Sequence, residues 1–122
     1  MLNRKILLVA AGIFGFLAVS FGAFGAHALK DNLTGENLKI FQTGVNYHFI
    51  HSIVILIIAF ANEQKFFKSA IIMAVGIILF SFSLYIYSTT QIKVFAMITP
   101  VGGVCFLIGW LLIIIEGVRK TK

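Results

Sequence analysis

The sequence predicts an all-α membrane protein, a four-transmembrane-helix bundle with a short interfacial amphipathic helix between spans 1 and 2. Three observations carry that prediction. Charged residues make up only 11% of the 122-residue chain and apolar residues 60%, whereas a soluble domain carries about a quarter charged residues. The mean hydropathy is +1.03. The few charges are confined to the gaps between four long apolar runs, the pattern of segments that cross hydrocarbon as helices. The net charge of +6 does not point to nucleic acid, because no basic patch interleaves with exposed aromatics as such a surface needs. The single cysteine, Cys105, lies inside an apolar run and reads as a small hydrophobe.

Span 1 covers about residues 6–28, free of charge after the basic head Asn3-Arg-Lys5. At helical rise it is about 34 Å long, enough to cross with some tilt. Gly15, Ala18, Gly22, Gly25 and Ala26 recur at spacings of three, four and seven; such small residues let membrane helices pack closely. The basic head and Ala26-His-Ala28 also match the outline of a cleaved secretory signal. The apolar run nevertheless exceeds the usual core of roughly 7–15 residues, and the glycine spacing suits a permanent packing face, so an uncleaved span is expected.

Residues 29–44 form the one long polar segment. Asp31-Asn32 reads as a turn, and Thr34-Gly-Glu36 opens a helix with an acid near its N-terminus. Leu38, Phe41 and Val45 recur at helical spacing, which predicts a short amphipathic helix in the interface, with Gly44 as the bend into span 2. Span 2 covers about 46–61. Asn62-Glu-Gln-Lys65 is a tight turn, span 3 covers 66–88, and Thr89-Thr-Gln-Ile-Lys93 turns into span 4 at 94–115. Pro100 lacks a backbone donor, so it should kink span 4 or restart it with Thr99 as cap. Gly102, Gly103 and Gly109 let a neighbouring helix come close.

The charges predict an orientation. With four spans, Arg4, Lys5, Lys65, Lys68, Arg119, Lys120 and Lys122 share one side, and Lys30, Lys39 and Lys93 the other. By the positive-inside tendency both termini are cytoplasmic. The polar intramembrane residues then fall at one depth, in the outer half: His27 in span 1, Tyr47, His48 and His51 in span 2, Ser81, Ser83 and Tyr85 in span 3, Thr99 in span 4. Such groups are costly in lipid and usually face the bundle interior or a water-filled cavity. Tyr47 and His51 are four residues apart and His48 and His51 three, so each pair shares a helical face. Paired histidines can hold a metal or haem; the structural alternative is that His51 bonds a Ser or Tyr of span 3.

Catalysis has little support. Asp31, Glu36, Glu63 and Glu116 all fall in loops or at span ends, and no nucleophile elbow, phosphate loop or zinc-spaced cluster occurs. No mid-membrane carboxylate is present for a proton-coupled antiporter.

Four stretches together carry a family resemblance: Gly22-Ala-Phe-Gly-Ala-His-Ala-Leu29, Thr43-Gly-Val-Asn-Tyr-His-Phe-Ile-His51, Ser81-Phe-Ser-Leu-Tyr85, and Ile98-Thr-Pro-Val-Gly-Gly103 with Gly109-Trp110. In order and spacing they resemble uncharacterised protein family 0382, also called domain of unknown function 423, small bacterial plasma-membrane proteins. The resemblance covers essentially the whole chain and implies an uncleaved four-span protein in the bacterial inner membrane. The family's small-residue-plus-His pattern falls on Gly22, Gly25, Ala26 and His27. Its Tyr-x-x-x-His pattern falls on Tyr47 and His51, its Ser-x-Ser-Leu-Tyr pattern on Ser81, Ser83, Leu84 and Tyr85, and its Pro-x-Gly-Gly pattern on Pro100, Gly102 and Gly103. The chain departs at His48, where relatives often carry Gln, so a His48 ligand site is not implied as a family trait. It departs again at Phe82, where they often carry Gly, which implies looser helix contact.

The expectation is therefore a non-enzymatic membrane subunit, or a module that contacts lipid, a membrane-protein partner or a second copy of itself, with no cofactor and no nucleic acid. The alternatives are a small-ligand, haem or metal site around His27, Tyr47 and His51, and a small-solute transporter.

Overall fold

The computed structural model describes residues 3–119, without the side chain of Ala26. Lys120 and Lys122 of the predicted cytoplasmic charge set, and the predicted packing role of Ala26, lie outside the described residues. Among the described residues there are four apolar helical spans and no strand.

The first span is α1, Arg4–His27. The Asn3 side chain caps it by accepting from the Ile6 amide at 3.0 Å. The Arg4 guanidinium donates through Nε to the Ala59 carbonyl at 3.2 Å and lies over the Phe60 ring. One cation thereby satisfies a carbonyl in the last turn of span 2 and ties the two helix ends together. After a turn over residues 28–33, Thr34 accepts from the Asn37 amide and opens α2, Gly35–Ala61, with Glu36 in its first turn.

Here the structure corrects the sequence reading. There is no separate interfacial helix, because α2 runs unbroken for 27 residues. Gly44 is not a bend. It is buried, and a Cβ there would lie 2.9 Å from Cε1 of Tyr85 and 3.2 Å from the Ser81 carbonyl. Its lack of a side chain sets how closely span 3 approaches. Because the helix extends outward to Gly35, the depth of the polar residues changes too. His48 is the middle residue of α2, so Tyr47, His48 and His51 sit near the centre of the span rather than in its outermost turns.

Asn62 ends α2 in the left-handed region at φ 56°, a conformation that Asn tolerates better than most residues. Span 3 follows in four pieces: a 3₁₀ turn Gln64–Phe66, α3 Phe67–Gly76, a π-helical segment Ile77–Phe82, and α4 Ser83–Thr90. Gln91, at φ 62°, ends it. Its side chain donates to the Tyr87 carbonyl and to Asn37 Oδ1, clamping the turn onto the start of α2.

The last span is α5, Lys93–Val118, continuous through Pro100. The predicted restart with Thr99 as cap is not found. Thr99 lies within the helix, its hydroxyl within 3.0 Å of the Phe95 carbonyl.

Each span packs chiefly on its neighbour in chain order, α1 on α2, α2 on the third span, and the third span on α5. In the most apolar windows of spans 2 and 3, 39% and 44% of residues are buried, against 17% in spans 1 and 4, so the outer two helices flank the inner two. The apolar core joins Leu7 and Ala11 of α1, Ile55 of α2, Met73 and Ile77 of the third span, and Phe106 of α5.

The small residues divide. Ala18 is fully buried, Gly22 faces Val45, and Gly25 is pressed by the Phe41 ring. A Cβ on Gly109 would lie 2.7 Å from Cγ of Met73, and one on Gly102 would overlap the backbone of Leu79 and Phe80; Gly103 is at ordinary contact with Phe80. Gly15 does not pack as expected, since a Cβ there would meet nothing within 4 Å. Pro100 is exposed.

Candidate functional site

The polar residues gather in three places rather than one cluster. At the first, His51 of α2 is nearly buried, at 3% exposure, and lies flat on Phe106 of α5, with ring centroids 3.7 Å apart and planes 10° apart. Its Nδ1 is 2.7 Å from the Tyr47 carbonyl. Its Nε2 accepts from Nε1–H of Trp110 at 3.1 Å. An indole nitrogen can only donate, so Nε2 is the acceptor, the ring proton sits on Nδ1, and that proton is donated to the Tyr47 carbonyl. Both ring nitrogens are engaged.

This corrects the expected Ser or Tyr partner from span 3; the partner comes from span 4. Trp110 was missed as a site residue. A donor-only indole in an otherwise apolar span must find an acceptor, which is the signal that could have found it. The Tyr47 ring packs on Phe80 at 4.7 Å and lies parallel to His51, but Tyr47 remains 43% exposed.

At the second place, His48 Nδ1 and the Tyr85 hydroxyl are 2.8 Å apart, linking α2 to α4. Both residues are buried. The imidazole is edge-on to Phe14 and Phe82, and its Nε2 is buried with no hydrogen-bond partner. The Tyr85 ring sits between Phe21 and Phe41. With Phe82 these rings border a gap of about 450 Å³ between α1 and α4.

At the third, the Ser83 and Thr99 hydroxyls meet at 2.6 Å. Each also lies within reach of a carbonyl in its own helix, Phe80 and Phe95 respectively. Each hydroxyl has one proton, so one bonds its carbonyl and the other bonds its partner hydroxyl, fastening α4 to α5.

Two predicted members do not join. His27 is exposed at the end of α1. Ser81 is fully buried with no partner for its hydroxyl; it meets α2 through its carbonyl, opposite Gly44. Among the described residues, no three His, Cys, Asp or Glu side chains converge as a metal would require. The arrangement is a set of cross-braces, each joining two spans through one hydrogen bond, with aromatic contact beside the two histidines.

A family model described as "Protein of unknown function (DUF423)" matches residues 21–103. The "UPF0382 membrane protein YwdK" of Bacillus subtilis is 38% identical over 120 residues, covering 94% of this chain and 98% of its own. The "UPF0382 inner membrane protein YgdD" of Escherichia coli K12 is 37% identical over 125 residues, covering 99% and 95%. A "UPF0382 membrane protein" of Staphylococcus epidermidis is 33% identical over 118 residues, covering 94% and 97%. No solved structure matches. With four apolar spans, and with relatives of this identity along nearly its full length, the chain belongs to the DUF423/UPF0382 family of membrane proteins.

Proposed function

We propose that the chain is a non-enzymatic subunit of the bacterial inner membrane, built to contact other membrane components rather than to carry out chemistry, with both termini in the cytoplasm. The observation that carries this reading is the bonding of His51. A histidine that binds metal or haem needs a ring nitrogen free to ligate. Both nitrogens of His51 are spent on the Tyr47 carbonyl and the Trp110 indole, and its face is covered by Phe106. The remaining polar pairs, His48 Nδ1 with Tyr85 and Ser83 with Thr99, also join helices; the second nitrogen of His48 has no partner and is sealed inside the bundle on a fully buried ring. The orientation rests on the unequal basic residues at the two ends.

The test is a visible absorption spectrum and metal analysis of protein purified in mild detergent, wild type beside His51→Gln and His51→Ala. The expected result is no stoichiometric chromophore or metal in any of the three, with a modest fall in thermal stability for His51→Gln and a larger one for His51→Ala. A stoichiometric species present in wild type and lost from His51→Ala would overturn the reading. Membrane-impermeant labelling of a cysteine at position 30, but not at position 65, is the result expected for the orientation.

A second reading has one observation in its favour. Tyr47, Pro100, Leu107 and Trp110 border a lateral groove of about 470 Å³ beside His51, open to the bilayer, and a small apolar ligand would fit there. Saturable binding of such a ligand, abolished by Trp110→Ala, would favour it over the first.

A further inference from the structure

The face of α1 and α2 that points away from span 3 carries two amides in an unexpected place. On α2, Gln42 and Asn46 are exposed, and neither side chain hydrogen-bonds to another described residue. They lie one turn apart on the same helical face. With the bilayer midplane placed at the middle of α2, where His48 lies, Asn46 is about 3 Å and Gln42 about 9 Å towards the outer side. Half the hydrocarbon thickness is about 15 Å. Both amides therefore lie within the depth of the lipid tails, where no water completes their hydrogen bonds. Asn is too short to reach the interface from that depth, and a polar side chain facing lipid there marks a surface that another polar surface covers.

The surroundings fit a close neighbour. Gln42 and Asn46 border a shallow groove against Gly22 and Gly25 of α1. The same interhelical face continues inward as a second groove, where Gly12 and Gly15 face Phe49 and Ile53. A Cβ on Gly12 or Gly15 would meet nothing within 4 Å, so an incoming helix can approach the α1 backbone.

We infer that a second copy of this chain covers this face, pairing Asn46 with Asn46 and Gln42 with Gln42 across a two-fold axis along the membrane normal. The primary amide is the side chain that best pairs with itself, because each presents both a donor and an acceptor. Two copies inserted in the same orientation are related by such an axis, which brings same-numbered residues near it to the same depth. No charged side chain is needed to match, and the apolar groove residues Phe49 and Ile53 then bury against their own equivalents. The inference names a partner for the subunit proposed above and rests on that reading.

The test is cross-linking in native membranes of full-length protein carrying Cys105→Ser and a single new cysteine. Phe49→Cys places it in the groove beside the intact amides. Leu107→Cys places it on α5, at an exposed site outside the groove. The expected result is a disulfide-linked homodimer for Phe49→Cys and none for Leu107→Cys. Dissociation in bicelles, followed by energy transfer between labelled copies, should weaken about tenfold in the doubly substituted Asn46→Leu, Gln42→Leu protein, since each amide pair contributes roughly a threefold factor. Both side chains are exposed, so at a dilution where wild type and double variant are both monomeric the two should share the same helical circular dichroism and thermal midpoint, which separates loss of pairing from loss of fold. Absence of a Phe49 homodimer, or a homodimer indifferent to the double substitution, overturns the inference. An adduct in cells to a protein of another mass also overturns it, yet leaves the proposed subunit role standing. Metal or chromophore at His51 would instead strike that role alone.

Discussion

At Gly102 a side chain would overlap the backbone of the π-helical segment, coming 2.6 Å from the Leu79 carbonyl carbon; at Gly15 it would meet nothing within 4 Å. Both glycines stand well inside a flanking span, and both belong to glycine-rich stretches that read alike. The difference lies in which side of the helix each occupies. Gly102 faces the seam between the third span and α5, where two backbones are in contact and the missing Cβ sets their separation. Gly15 faces outward, where its missing Cβ leaves surface unfilled. A glycine in a membrane helix thus marks either a finished contact or an open one, and only the neighbouring backbone tells which.

Four substitutions test that division, and they rank by how much structure each displaces. Gly102→Ala should have the largest effect, destabilising by about 3 kcal/mol, because the obstacle is main chain and cannot swing aside; unfolding in mixed detergent micelles would show it. Gly44→Ala should cost about 2 kcal/mol. It meets the Ser81 carbonyl, which is fixed, and the Tyr85 ring, which can yield only by straining its bond to His48.

Trp110→Phe keeps most of the apolar surface but leaves His51 Nε2 without its donor, so a loss of about 1–2 kcal/mol is expected. Gly15→Ala should be neutral or stabilise the fold of the single chain by up to about 1 kcal/mol, since alanine is the better helix former and nothing in its own chain obstructs it. A Gly15→Ala as damaging as Gly102→Ala would erase the distinction between the two faces.

The spans themselves were legible because charge is excluded from them. The breaks at 62–65 and 89–93 are polar, and the structure turns the chain at both, with Asn62 and Gln91 in the left-handed conformation. The caps at Thr34 and the turn at Asp31-Asn32 were legible for the same local reason. What failed depends on distant residues. The polarity of 35–45 suggested a helix lying in the interface, but α2 is unbroken there and Gly44 packs against Tyr85, forty-one positions later. The polar residues were assigned one depth from span ends, so extending α2 moved the histidines to mid-span. His27 was grouped with them by depth alone, although its side chain faces out. The partner of His51 is fifty-nine residues away, and periodicity carries no information at that range. Nothing in Ile77-Ile-Leu-Phe-Ser-Phe82 announces a π-helical turn.

That widened turn has a consequence for how the gene can change. A π turn holds about one residue more than an α turn, so span 3 carries its surplus between positions 77 and 82. Removing one residue there lets the turn tighten into ordinary α-helix, while Met73 keeps facing Gly109 below it and Tyr85 keeps facing Gly44 above. A one-residue deletion in α3 or α4 has no such slack to absorb it and rotates one half of the span by about 100° against its neighbours. Of all single-codon losses within this helix, those inside the wide turn should be the ones that still fold, and a deletion scan would find its tolerant window there.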